Sequence, residues 1–303
     1  MTADFAILAN PQAGGAEAAQ LDDAAAVLSS AAAVTIHHAD SPEALDDVLD
    51  QTQGATLVVA GGDGSLHAVV ASLRSRGRES LAERALGLIP LGTGNDFARG
   101  VGVPLDPVEA ALIARDGQPR ALDLIVDDAD GVVVNAVHAG LGAAAAETGE
   151  RYKPALGALA YPLGALIAGV RESGYRMRIE IDGQVVHDGP ALMAGVMNGP
   201  SIGGGAMLCA HAQVDDGLLD VVIARGVGAS ERIAFGAALR EGTHLQRDDV
   251  AHLRGVEATI AGDPMRHDAD GEISEEIARR TYRVEAAAWQ LIAAPSEARR
   301  QGG

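Results

Sequence analysis

The chain has one lysine, one cysteine and few aromatic residues, and each shortage removes possibilities. Lys153 is the lone lysine, far in sequence from every glycine-rich stretch. A Walker-type loop sets a lysine on the β/γ-phosphates, and protein kinases use a strand lysine. Neither device is present, so any bound phosphate must rest on backbone amides, hydroxyls, metal or arginine. Cys209 stands alone, so there is no intramolecular disulfide, which fits a reducing compartment. Aromatics reach only 3%, and the core must be built from Ala, Val, Leu and Ile. Basic residues number 23 against 42 acidic ones, a net charge of −19. Nucleic-acid affinity rests on basic residues neutralising phosphates, so nucleic acid is disfavoured as a partner. Simple electrostatic adsorption to an anionic membrane is disfavoured too. No uninterrupted apolar run reaches the length of a membrane-spanning helix. Met1-Thr2-Ala3-Asp4 lacks the basic start and apolar core of a signal peptide. The expectation is a cytoplasmic protein, any contact with the inner membrane face being transient, peripheral, and apolar or locally basic.

What is present is an ordinary globular composition, 48% hydrophobic and 21% charged over 303 residues, enough for one large domain or two smaller ones. Up to about residue 120, strand-like and helix-like segments alternate, the pattern of βαβ units and a parallel sheet. Phe5 to Ala9, Val34 to His37, Thr56 to Ala60 and Ala85 to Ile89 read as strands. Ala16 to Ser30 has helical composition, and Glu43 to Asp50 follows Ser41-Pro42, a helix start with Ser at N-cap and Pro at N1. The third strand runs into Gly61-Gly62-Asp63-Gly64-Ser65, and the fourth into Pro90-Leu91-Gly92-Thr93-Gly94-Asn95-Asp96-Phe97-Ala98-Arg99. Glycine lets backbone N–H groups approach a ligand with no Cβ in the way, and such a turn before a helix suits phosphate. Ligands of parallel sheets bind outside the carboxyl ends of the strands. Both turns are expected on that edge, with Asn10 and Thr35 beside them.

Beyond that point the pattern changes. Arg120 to Val126 and Val132 to Val137 flank Asp127-Asp128-Ala129-Asp130-Gly131, which reads as a hairpin. Tyr175 to Ile181, Gln184 to His187, Ala191 to Met197, Leu218 to Ile223, Thr281 to Ala287 and Trp289 to Ile292 are strand-like, with Asp182-Gly183 as a tight turn. The fold class is thus α/β plus all-β. A Rossmann-like parallel domain over residues 1–125 precedes a mostly antiparallel, sandwich-like domain over 126–293, and the tail 294–303 either frays or returns to the first domain. Residues 155–170 are apolar but broken by Pro162 and several glycines, so they form a buried connecting helix or an interfacial element. The acidic loops at 127–131 and 268–271 lack the full spacing of a calcium loop. The nine histidines show no HExxH or Cys/His ligand pattern.

GGDGS at Gly61 to Ser65 and PLGTGNDFARG from Pro90 resemble the signatures of the diacylglycerol kinase catalytic family, bacterial lipid kinases that include sphingosine-kinase-like members. The likeness continues, in family order, at Asn10 to Gly15, Val34 to Ile36, Asn198 to Gly205, Val214 to Asp220 and Asp270-Gly271-Glu272. Ser65 replaces the family's usual threonine but keeps the hydroxyl. The resemblance implies a two-domain enzyme with its active site in the cleft, transferring the γ-phosphoryl group of ATP to a hydroxyl of a diacylglycerol-like or sphingoid lipid. It implies nucleotide contacts from Asn10, Thr35, Gly61, Gly62, Asp63, Gly64, Ser65, Thr93, Gly94 and Asn95. It makes Asp96 an organiser of Mg2+ near the phosphates, gives Asp63 the orienting of nucleotide or metal, and makes Glu272 the general base. It also implies a structural magnesium on the Asp216 carboxylate with the carbonyls of Gln213 and Leu218. Read without the family, Asp63, Thr93, Asn95 and Asp96 are helix-capping residues, and Asp270-Gly271 is a common turn pair. Two other readings share the fold: an NAD-kinase-like enzyme, and a catalytically silent regulator that binds lipid or nucleotide.

Overall fold

Strands whose side chains are apolar without alternation are buried on both faces, and Phe5–Ala9 (β1), Thr56–Gly61 (β3) and Ala85–Pro90 (β4) behave in that way. In the computed structural model, which describes residues 4–9, 15–140, 174–203 and 205–294, they lie side by side in a parallel sheet. The chain divides into two compact units. Unit 1 comprises Met1–Leu124 with Ala286–Gly303, and unit 2 comprises Ile125–Glu285.

In unit 1 the remaining elements are α1 (Gly15–Ser29), β2 (Val34–His38), α2 (Pro42–Gln51), α3 (Asp63–Ser75), α4 (Arg78–Ala82), α5 (Asp96–Val101) and α6 (Pro107–Asp116). The strand order is β2-β1-β3-β4, and all neighbours are parallel. Helix starts follow local chemistry. The Ser41 hydroxyl accepts from the Ala44 N–H at 3.2 Å, with Pro42 in the first turn. Asp106 accepts from the N–H groups of Val108 and Glu109 at 3.0 and 2.9 Å.

Unit 2 takes up β5 (Gln118–Asp127), which begins in unit 1, then β6 (Val132–Val133), β7 (Ala136–Gly140), β8 (Tyr175–Ile181), β9 (Gln184–Ala191), β10 (Met193–Met197) and β11 (Leu219–Ala224). There follow α7 (Ala229–Glu241), β12 (Val250–Gly255), β13 (Glu257–Met265), β14 (His267–Ala269), β15 (Glu272–Ile273) and β16 (Ile277–Ala293). One antiparallel sheet runs β12-β11-β10-β7-β14-β15; the other strands include the antiparallel run β16-β13-β8-β9. Ile125, Ile179 and Ile260 from the second group interdigitate with Val137, Val196 and Val221 from the first, forming a sandwich core.

The last strand, β16, is continuous from unit 2 into unit 1, where Gln290 and Leu291 pair in parallel with Ala85 and Leu86 of β4. Trp289 is wholly buried there, its indole N–H donating to the Asp123 carbonyl at 3.1 Å and its ring 5.6 Å from that of Phe97. The part of the chain in unit 1 thus resumes at Ala286, ahead of residue 294, with Gln290 and Leu291 extending the parallel sheet beside β4.

The stretch read as one strand from Val132 to Val137 is split. Val132 and Val133 pair with β5, whereas β7 starts at Ala136 in the other sheet. The Asp270 carboxylate sits at the break, accepting from the N–H groups of Val134 and Asn135 between the two strands and of Ala136 at the start of β7. Residues 155–170 lie outside the described residues, and no described helix is long and apolar enough to cross a membrane.

Candidate active site

The register of β3 and β4 sets Gly61 opposite Pro90, so the two glycine-rich turns leave the sheet side by side. The Leu91 N–H donates to the Gly61 carbonyl at 3.0 Å, tying one turn to the other. A Cβ on Gly92 would lie 2.5 Å from the Gly62 Cα, a separation that only glycine allows. The recess between the turns, lined by Gly61, Gly62, Asp63, Pro90, Asn95 and neighbours, leaves no room for a water molecule.

Asp63 opens α3, but its carboxylate is spent on the other motif. Its oxygens accept from the N–H groups of Asp96 and Phe97, each at 3.0 Å, which are the first two amides of α5. The capping role thus crosses from one turn to the other, 33 residues on. Asn95 has the left-handed backbone that asparagine tolerates (φ 53°). Its amide closes its own loop, accepting from the Gly92 N–H at 3.1 Å and donating to the Gly92 carbonyl at 2.6 Å. Ser65 packs over Gly61, where a Cβ would meet its Oγ at 2.4 Å. Asp96 is buried, whereas Gly64 and Thr93 are exposed and Gly94 partly so. The exposed set is what a ligand could reach.

Thr35 requires a correction. It is the second residue of β2, paired with Ala6, and not at the carboxyl edge where the turns emerge. Three further residues at about 3.3 Å each separate it from that edge. Its hydroxyl lies 3.0 Å from His37 Nε2. The strand runs on to His38, which places Thr35 near its beginning. Asn10 lies outside the described residues.

In unit 2, Asp270 and Gly271 both have positive φ (52° and 93°) and turn the chain between β14 and β15. With Asp270 holding Val134 to Ala136, the exposed Glu272 rests on a turn fastened at three backbone points. Beneath it, the buried Asp268 accepts from the Gly271 N–H at 2.9 Å and lies 3.7 Å from Nε2 of the buried His138. Burial pushes the His138 imidazole down, against the pull of Asp268. His267 is held at about 4, chiefly by burial and then by the positive charge of Arg280; its Nδ1 is 2.6 Å from the Tyr282 hydroxyl.

The loop read as a magnesium site offers oxygen donors suited to a hard cation. One Asp216 oxygen accepts from the Leu218 N–H at 3.1 Å, and the other is paired with the Arg254 guanidinium. Arg254 also lies 3.2 Å from Asp220, so a guanidinium already supplies the positive charge facing Asp216. Gln213 is exposed. Arg254, Asn135 fastened to Asp270 and the buried His138 carry no local sequence signal; they come to these places through long-range packing.

Residues 4–126 match the family described as the diacylglycerol kinase catalytic domain. Residues 135–293 match the YegS C-terminal NAD kinase beta sandwich-like domain. A Stenotrophomonas maltophilia protein described as "Probable lipid kinase YegS-like" is 35% identical over 80% of this chain and 78% of its own. A Pseudomonas aeruginosa protein of the same description is 42% identical over 56% of this chain and 54% of its own. Among solved structures, a diacylglycerol kinase from Bacillus anthracis superposes with a TM-score of 0.77 at 23% identity, covering 97% of this chain and 98% of that one. Yeast NADH kinase complexed with NADH gives 0.51 at 12% identity, over 98% and 84%. These two are likenesses of fold. A parallel unit with paired glycine turns and an antiparallel sandwich unit define the fold class. Within that class, the chain belongs to the diacylglycerol kinase catalytic-domain family.

Proposed function

We propose that the chain is an ATP-dependent lipid kinase, phosphorylating a hydroxyl of a diacylglycerol-like or sphingoid lipid in the cytoplasm or at the inner membrane face. The observation that carries this reading is the abutment of the two turns, locked by Asp63 on the first amides of α5. Beside that lock Gly64 and Thr93 are exposed and Gly94 partly so, in two turns that contain no lysine. Backbone amides and the Ser65 and Thr93 hydroxyls would hold the nucleotide phosphates. Glu272, exposed on its fastened turn, would accept the substrate hydroxyl proton during transfer. Magnesium, when bound, would neutralise phosphate charge, with Asp96 as the nearest carboxylate of the second turn and Asp216 as the structural ligand in place of Arg254.

The test is transfer of labelled γ-phosphate from ATP to diacylglycerol, monoacylglycerol, phosphatidylglycerol, ceramide and sphingosine in mixed micelles. NAD is included beside them, and Glu272→Gln is the paired control. Label in one lipid that is lost in the variant is the expected result. Label in NAD would replace the lipid reading, and ATP binding with no label anywhere would favour a silent regulator.

A further inference from the structure

Unit 2 carries a second cluster of chemistry-bearing groups on the face of β10 and β11 away from the sandwich core. Cys209, Asp220 and His252 each present one donor atom, and the three atoms lie within 4.8 Å of one another. The Cys209 Sγ is 3.5 Å from His252 Nε2, which is 2.6 Å from an Asp220 oxygen. Strand register makes this arrangement. Asp220 pairs with Arg254 and Val222 with His252 across β11 and β12, so Asp220 and His252 are diagonal neighbours on one face.

From the structure we infer that these three side chains form a binding site for a divalent ion of the Zn2+ class. Thiolate, imidazole and carboxylate together suit a borderline ion and disfavour Mg2+, which takes oxygen. The second oxygen of Asp220 carries the inference past a mere cluster. Asp220 is 1% exposed, and its Oδ2 has no hydrogen-bond partner among the described residues. A buried carboxylate oxygen left in that state is costly, and a metal ion would satisfy it.

The site is also preorganised. Cys209 donates its N–H to the Pro200 carbonyl at 3.0 Å, and the preceding Leu208 is pinned by His244 Nε2 on its carbonyl at 2.8 Å. Arg254 Nε, 3.2 Å from the same Asp220 oxygen that faces His252, holds the carboxylate in place, as outer partners of metal ligands do. Charge balances as well: with the thiol deprotonated, Cys209 and Asp220 contribute two negative charges, which a divalent ion cancels. The His252 side chain, 26% exposed, forms the solvent edge by which an ion would enter and at which a fourth ligand, water, completes a tetrahedron. On binding, the Cys209 S–H bond breaks, an S–metal bond forms, and one proton leaves to solvent. None of this depends on the kinase reading.

The experiment uses the full chain, free of any affinity tag and stripped with chelator, titrated with Co2+ and followed by absorption. One ion per chain, a sulfur-to-cobalt charge-transfer band, release of one proton and bleaching by Zn2+ but not by excess Mg2+ are expected. Cys209→Ser should remove the band and weaken binding at least tenfold. His252→Asn, at the exposed edge and harmless to the core, should weaken it similarly without moving the metal-free melting midpoint. Absence of the band at stoichiometric Co2+, or unchanged affinity in both variants, would overturn the site.

Discussion

Asp63 and Asp270 do the same physical work in different units. Each belongs to a motif that reads as chemistry, and each spends its carboxylate on backbone N–H groups of a distant segment. Hydrogen bonds to a charged acceptor contribute more than neutral ones, about 1.5–3 kcal/mol each and not additively. Asp270→Ala orphans three amides, so it should lower the unfolding free energy by about 3 kcal/mol. Asp63→Ala, which strips the cap of a short helix, should cost about 1–2 kcal/mol. Glu272 differs, being exposed with no such duty. Glu272→Gln should leave stability within about 0.5 kcal/mol of the parent, as surface changes do. Its kcat should fall about a hundredfold, the low end for a general base, because a loose phosphoryl transition state relies more on positioning than on base strength. Denaturant titration and initial rates on the same three proteins separate the two effects. Turnover of the Glu272 variant within twofold of the parent would remove it from the mechanism.

At the scale of elements, the two glycine turns divide into glycines the fold needs and a glycine it does not. A Cβ on Gly92 would press on the backbone of Gly62, which cannot give way without separating β3 from β4 at their ends. Gly92→Ala should cost about 1–3 kcal/mol, the usual range for overpacking. Gly64 has open space where a Cβ would go and ordinary helical backbone, so Gly64→Ala should stabilise α3 by about 0.5–1 kcal/mol. If ATP affinity nonetheless falls in that variant, the glycine serves close approach of the ligand; unchanged affinity would place the nucleotide elsewhere. The strands feeding these turns were legible because their apolar runs and the turn residues are local signals. So was the hairpin at Asp182-Gly183, whose two positive φ values are what the pair permits. What was illegible is long-range. That Asp63 caps α5 rather than its own helix follows from β3 and β4 being neighbours. The His138 cluster follows from register between distant strands, and the Cys209 cluster from the β11–β12 register together with the connection that carries Cys209. The short β14 and β15, and the half-exposed β12, lack a hydrophobic period strong enough to read.

For the whole molecule, two opposing electrostatic effects meet as pH falls, and their size decides the outcome. At pH 7 the chain carries a net charge of −19 with its nine histidines neutral, so protonating histidines relieves self-repulsion. That relief is spread over the surface and screened beyond about 8 Å at physiological salt. Against it stand His138 and His267 in unit 2, both buried and both held below the ordinary imidazole value. The sign follows from linkage. Between pH 6.5 and about 4 the unfolded chain binds protons at His267 that the folded chain refuses. The stability from keeping it neutral is therefore complete above pH 6.5 and lost as pH falls toward 4. From His267 alone the loss should be roughly 2 kcal/mol by pH 5, and His138 acts in the same direction. The local, unscreened effect should win, and the urea midpoint should drop between pH 7.5 and 5 despite the falling net charge. His267→Gln keeps a polar partner for the Tyr282 hydroxyl but does not titrate, so it should start lower and fall less steeply with pH. Circular dichroism follows the strands of both units, while the single Trp289 fluoresces from unit 1, so comparing the two locates where the loss begins. A parent midpoint that rises on acidification, or a His267→Gln slope equal to the parent's, would show that surface repulsion governs this chain instead.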